Sequence, residues 1–223
     1  SRRNTRNHIL VSILNQLTVL SIETAFSLFC MSRRAGLGVS EVWIGNMLSA
    51  SGLACALFQY FLYDFMVSWV GLLGSIRVGA ALSTPSTALV PLVLFLNHGR
   101  VGDDALTWQS FVFLSAILAI YRVFCIAFYT SLAVSTNNTV PTSLRATANG
   151  VFMVIASFAQ GIGPTLTGLL VSFSFSSTVM SPHVGAFVVW WTIGLVGIGV
   201  FVGSLVALTD TQKHENTRDL DPT

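Results

Sequence analysis

Apolar positions fill the chain in six long runs, each near the 20 or so residues that a helix needs to cross the hydrocarbon core of a bilayer. The runs cover about 8–31, 42–63, 78–96, 106–134, 146–173 and 184–208. The connections between them carry turn and charge signals: Ser32-Arg33-Arg34-Ala35-Gly36, Asn97-His98-Gly99-Arg100 with Asp103 and Asp104, Thr136-Asn137-Asn138 ending in Pro141, and Ser181-Pro182-His183. Connections this short make successive helices antiparallel neighbours. The pattern predicts an all-α, six-helix transmembrane bundle over 1–209. The stretch 210–223 is polar, lacks any apolar period, and reads as a disordered cytoplasmic tail.

Composition agrees. Hydrophobic residues make up 53% of the chain and charged ones 9%, and the mean hydropathy is +0.74. A soluble domain is about 25% charged, so this chain lacks the polar surface for a water-facing shell and reads as a multi-pass integral membrane protein with the lipid bilayer as partner. The net charge of +2, with no long basic run and no interleaved aromatics, argues against a nucleic-acid partner. Cys30, Cys55 and Cys125 have no metal-ligand spacing and form no disulfide framework. Counting Lys and Arg on alternate sides puts Arg2, Arg3, Arg6, Arg77, Arg145, Lys213 and Arg218 on one side and Arg33, Arg34 and Arg100 on the other, which places both ends in the cytoplasm. The opening Ser1-Arg2-Arg3-Asn4 has no Met and suggests a piece of a longer polypeptide.

Only two charged side chains fall within the six expected spans, Glu23 in the first and Arg122 in the fourth. An Arg at the bilayer centre costs about 2.5 to 17 kcal/mol depending on the reference state, so an intramembrane charge is a functional candidate by default. Each belongs to a stripe. Ser12, Gln16, Glu23 and Ser27 share one helical face, and Trp108, Ser115, Arg122 and Tyr129 recur every seven residues on another. Two readings stay open: a buried ion pair that holds the bundle together, or a water-filled cavity lined by both residues. Their helices run in opposite directions, so direct contact needs the full reach of the Arg side chain.

Further polar and broken segments qualify the picture. Gly45, Ser49, Gly52 and Ala56 form a small-residue stripe in the second span, followed by Gln59, which suits close helix packing with Gln59 available to a ligand. Pro85 and Pro91 in the third span and Gly161-Ile162-Gly163-Pro164 in the fifth are expected kinks. In the fifth, Asn149, Gln160 and Thr167 share a face able to line a cavity. No Ser/His/Asp set, phosphate-cradling Gly loop or His/Cys/carboxylate cluster appears in any span, so the sequence suggests no enzyme, no catalytic residue, no metal and no cofactor.

The runs Gly36-Leu37-Gly38-Val39-Ser40 through Ile44-Gly45, Leu57-Phe58-Gln59, Asn137-Asn138-Thr139-Val140-Pro141 through Arg145 to Asn149-Gly150, and Gly161-Ile162-Gly163-Pro164 with Gly168 resemble the C-terminal six-helix half of major facilitator superfamily transporters. The nearest resemblance is to the drug:proton antiporter and zinc-induced-facilitator-like branch. It covers about 8–208 and implies a three-plus-three inverted repeat, an arrangement for which these transporters are a standard example. It also implies a central cavity lined by Gln16, Glu23, Gln59, Arg122, Tyr129 and Gln160, and an N-terminal six-helix half of the same polypeptide as partner. Asp64, Arg77 and Arg145 fall where the family has cytoplasmic gating charges, although the Arg-rich core of that motif is missing here.

The expected function is then secondary active transport of a small organic solute by alternating access, with protons as the candidate coupling ion. The other reading is a self-contained six-helix channel or scaffold subunit. Glu23 is the titratable candidate for the proton, because a guanidinium stays charged.

Overall fold

The computed structural model describes residues 2–98, 100–176 and 181–219, and the side chains within them other than those of 2–9, 105, 139, 182 and 206–219. Among the described residues, six helices are long and apolar enough to cross a membrane. They are α1 (Arg2–Met31), α2 (Glu41–Phe61), α3 (Tyr63–Ser86, continued by a 3-10 stretch Thr87–Leu92 and a last turn Val93–Leu96), α4 (Trp108–Thr139), α5 (Arg145–Ser176) and α6 (Pro182–Asp219). The protein is an all-α, multi-pass integral membrane protein.

The packing has an internal symmetry. α1 lies against α5 and α6, α4 lies against α2 and α3, and α3 meets α6. Exchanging α1 with α4, α2 with α5 and α3 with α6 leaves this set of neighbours unchanged. The two triplets are three spans apart, so equivalent helices cross the membrane in opposite directions. This is the three-plus-three inverted repeat. Each triplet places its first helix among helices of the other, and the two interlock.

Close crossings occur at glycines. A Cβ on Gly79 of α3 would lie 2.8 Å from the Phe124 carbonyl oxygen and the Phe128 amide nitrogen of α4. On α6, a Cβ at Gly197 would meet Thr84 of α3 at 2.3 Å. By contrast, Gly199 of α6 has open space around it. Gly79→Leu is therefore expected to destabilise the bundle by about 1–3 kcal/mol, the usual cost of overpacking, whereas Gly199→Leu is tolerated. Thermal unfolding of the two purified variants checks the difference.

Apolar side chains gather in two clusters along the bundle. One joins Phe26 and Phe29 of α1 to Met47, Val90, Leu114, Leu118, Val171 and Trp190, with Phe29 and Trp190 edge to face at 6.1 Å. The other joins Val11, Ile76, Ala80, Phe128, Leu132 and Val200. Arg122 falls between the two clusters along α4, and Glu23 stands beside Ile22 and Ala25 of the first.

Several boundaries differ from those the sequence suggests. The stretch 64–77, expected as a gating loop, is helical from Tyr63 onward, because its apolar residues contain no breaker stronger than Gly71 and Gly74. The turn is made instead by two single residues, Leu62 (φ −113, ψ −18) and Gly71, whose φ of 73 and ψ of 171 a side chain would resist. Between them, Tyr63–Val70 forms a connector about 12 Å long at 1.5 Å per residue. It is tied to α4 by a 3.0 Å hydrogen bond between the Tyr63 and Ser131 hydroxyls. Its Phe65 and Trp69 rings lie 5.7 Å apart, tilted by 34°, and are exposed, as suits aromatic side chains at a membrane interface.

At the other end, α6 does not stop near 208 but continues helical to Asp219, since no Gly or Pro interrupts Thr209–Asp219. Positions 220–223 of the expected tail lie outside the described residues. α5 runs unbroken through Pro164, while the Pro pair in the third span coincides with the change to 3-10 geometry.

Candidate functional site

α1, α2 and α4 border an open cleft of about 580 Å³. α1 contributes Asn15, Gln16, Val19 and Glu23; α2 contributes Gly52, Cys55, Ala56 and Gln59; α4 contributes Tyr121, Arg122, Cys125, Ile126 and Tyr129. Five of the six sequence-predicted cavity residues therefore meet in one place. The middle of each polar stripe faces the cleft, Gln16 and Glu23 from α1 and Arg122 and Tyr129 from α4.

Arg122 makes the contact that the sequence placed at the limit of its reach. Its Nη2 lies 3.6 Å from Glu23 Oε1, the one ion pair among the described residues. Its Nη1 donates to the Leu48 carbonyl at 3.5 Å. The pair is not sealed in a core, since the side chains of Arg122 and Glu23 are 27% and 51% exposed. The two charges pair, and they do so on the wall of a cleft. Cys55 Sγ donates to the Arg122 carbonyl at 3.8 Å, and the Tyr121 hydroxyl donates to the Val19 carbonyl at 3.3 Å, which fixes the backbones carrying the pair.

Gln59 reaches the cleft with its Oε1 buried and without a hydrogen-bond partner among the described residues. A buried acceptor left unmade costs about 1–3 kcal/mol, so a donor brought by a ligand would be favoured there. The small-residue stripe of α2 also faces this way. Gly52 sits under the guanidinium, where a Cβ would be 3.7 Å from Nη1, and Ala56 lines the cleft, while Gly45 has open space. Its spacing suggested a helix partner, but within this chain what approaches it is an Arg side chain.

Gln160 departs from the expectation. It is exposed on α5 and does not border the cleft, whereas its neighbours Ala159, Gly163 and Thr167 are buried. The face that α5 turns inward is set by Gly163, whose Cβ position lies 3.3 Å from Leu20 of α1. Gln160 is almost a full turn before it, off to the side of that contact. The three expected gating charges do not pair with one another. Asp64 and Arg145 are exposed, Arg145 Nε donates to the Val140 carbonyl at 3.4 Å, and the half-buried Arg77 has no hydrogen-bond partner for its Nε among the described residues. Arg77 lies in α3 six residues past the Gly71 break, a helical position that the loop assignment of 64–77 concealed.

No family model matches the chain, and no solved structure matches it. Curated relatives do. A protein of Arabidopsis thaliana named as a probable peptide/nitrate transporter is 30% identical over 176 residues, 76% of this chain and 34% of the relative. A major facilitator superfamily multidrug transporter of Aspergillus fumigatus is 31% identical over 162 residues, 72% of this chain and 24% of the relative. The chain belongs to the major facilitator superfamily. Protein ZINC INDUCED FACILITATOR-LIKE 1 of Arabidopsis thaliana extends the match to 92% of this chain, at 26% identity, and to 42% of its own length. The chain thus spans between about a quarter and two-fifths of the length of these relatives, two of which are named as transporters and the third as a facilitator-like protein.

Proposed function

We propose that the chain is the C-terminal half of a secondary active transporter that moves a small organic solute by alternating access, with Glu23 coupling the movement to protons. The observation that carries this reading is the position of the ion pair. Glu23 and Arg122 meet on an open cleft whose other lining residues are Asn15, Gln16, Gln59 and further side chains that carry no Asp, Glu, Lys or Arg charge, and a cleft of this volume suits a small organic molecule. A closed structural pair would be buried and fully hydrogen-bonded; this one is neither.

The wall facing the cleft is assigned to an N-terminal half of six further helices, in keeping with the fraction of each relative that the chain covers. That half would also cover the open α2 stripe. Asp64, Arg77 and Arg145 are assigned to the cytoplasmic rim, where they would pair in a conformation other than this one. The printed names of the relatives mention peptide or nitrate, several drugs and zinc, and no single one of these is carried over as substrate.

The test is flux through the complete transporter reconstituted in vesicles, with and without an imposed pH gradient. Saturable uptake of an organic solute that follows the gradient is expected. Conductance that does not saturate would support a channel instead.

A further inference from the structure

We propose that the cleft binds an organic anion together with a proton, the anion on Arg122 and the proton on Glu23, so that the two cross the membrane in the same direction. This rests on the transporter reading above and gives its substrate a charge and its coupling a sign. The sign is the reverse of the one that the antiporter resemblance implies.

The inference begins with unused donors. A guanidinium carries five N–H groups. In Arg122, one terminal nitrogen donates to the Leu48 carbonyl at 3.5 Å, and the other stands 3.6 Å from Glu23. A formed charge-assisted bond of this kind is about 2.7–2.9 Å long. Glu23 therefore neutralises Arg122 without saturating it. The remaining donors have no partner among the described residues, and the side chain is 27% exposed to the cleft. Planar acceptor pairs, such as a carboxylate or a phosphate, match that fork.

The surroundings fix the charge balance. Around Glu23, α4 presents Arg122, Tyr121, Cys125 and Tyr129, and α2 presents Cys55. α5 and α6, which pack on α1, carry no Asp, Glu, Lys, Arg, Cys or Tyr between 146 and 205, and His183 stands near the start of α6. Arg122 is thus the fixed cation of the cleft and Glu23 its carboxylate. With Glu23 ionised the cleft is neutral, and a bound anion would leave it at minus one beside apolar helices. A proton taken up by the Glu23 carboxylate from the aqueous side restores neutrality and releases Arg122 to the anion. A cationic solute meets the opposite situation, since the one carboxylate it would use is already shared with Arg122. By linkage, anion and proton raise each other's affinity by the same factor.

The experiment uses the complete transporter in lipid nanodiscs and a panel of benzoate, glutarate, phosphate and tetraphenylphosphonium. Titration calorimetry in two buffers of different protonation enthalpy counts protons taken up per ligand. At least one anion is expected to bind with uptake of about one proton, its affinity falling about tenfold per pH unit where the uptake is complete. In Glu23→Gln the same anion should bind with no proton uptake and no pH dependence. Arg122→Lys should keep the uptake with weaker binding, which separates loss of the site from loss of fold. Binding and gradient-driven flux of tetraphenylphosphonium without binding of any anion, or release of protons on anion binding, would overturn the inference and leave the transporter reading intact. No saturable flux of any panel member in vesicles would overturn both.

Discussion

Arg122→Ala is expected to lower solute transport by about 10- to 150-fold while the protein still assembles. That range corresponds to losing hydrogen bonding to a charged group worth about 1.5–3 kcal/mol. Assembly should survive because the pair contributes little to it. The contacts of Arg122 are long, at 3.5 Å to the Leu48 carbonyl and 3.6 Å to Glu23, and Glu23 is half exposed and keeps access to water when its partner goes. The apolar clusters on either side, around Phe29 and Trp190 and around Phe128 and Leu132, do not include it. Arg122→Lys should recover transport in part, since an ammonium keeps the charge and loses the planar fork. Flux per folded molecule in vesicles is the measurement. An equal fall in folded yield in both variants would assign the pair to holding α1 and α4 together.

Glu23→Gln is expected to abolish pH-driven accumulation. When one proton accompanies each anion, a gradient of one pH unit supports about a tenfold concentration ratio, the equivalent of about 1.4 kcal/mol. Gln has nearly the shape of Glu but binds no proton in this range, so the ratio should fall to one, and the remaining exchange should not vary with pH. Steady-state accumulation against an imposed gradient reads this directly. Retention of the tenfold ratio would place the proton on another group, and Arg122 could not be that group because it stays charged.

The six spans and the two intramembrane charges were legible because both rest on strong local signals. Hydrocarbon tolerates few charges, and a helical period brings Gln16 and Glu23, or Arg122 and Tyr129, onto one face. What a single helix cannot reveal is its rotation against its neighbours. Gln160 shares a period with Asn149 and Thr167, yet only Thr167 is buried, because Gly163 decides which side of α5 meets α1. The Leu48 carbonyl left no trace in the sequence, since backbone acceptors have no residue type. Arg77 was hidden for another reason. A polar residue near apolar ones reads as a loop boundary when charge is used to end a span, and the true turn is carried by Leu62 and by the left-handed Gly71, two residues with no charge at all.

The interlocking of the two triplets has a mechanical consequence. α1 packs on α5 and α6 of the other triplet, α4 packs on α2 and α3, and α3 meets α6 across the divide, so neither triplet can slide or tilt without tearing the contacts of the other. Close-packed crossings such as Gly79 against Phe128 leave no slack in which to take up such a motion. Under the alternating access proposed above, these six helices would turn as one rigid body, and the surface that lets go and re-forms would be the loosely covered one, where Gly45, Ala56 and Glu23 stand open.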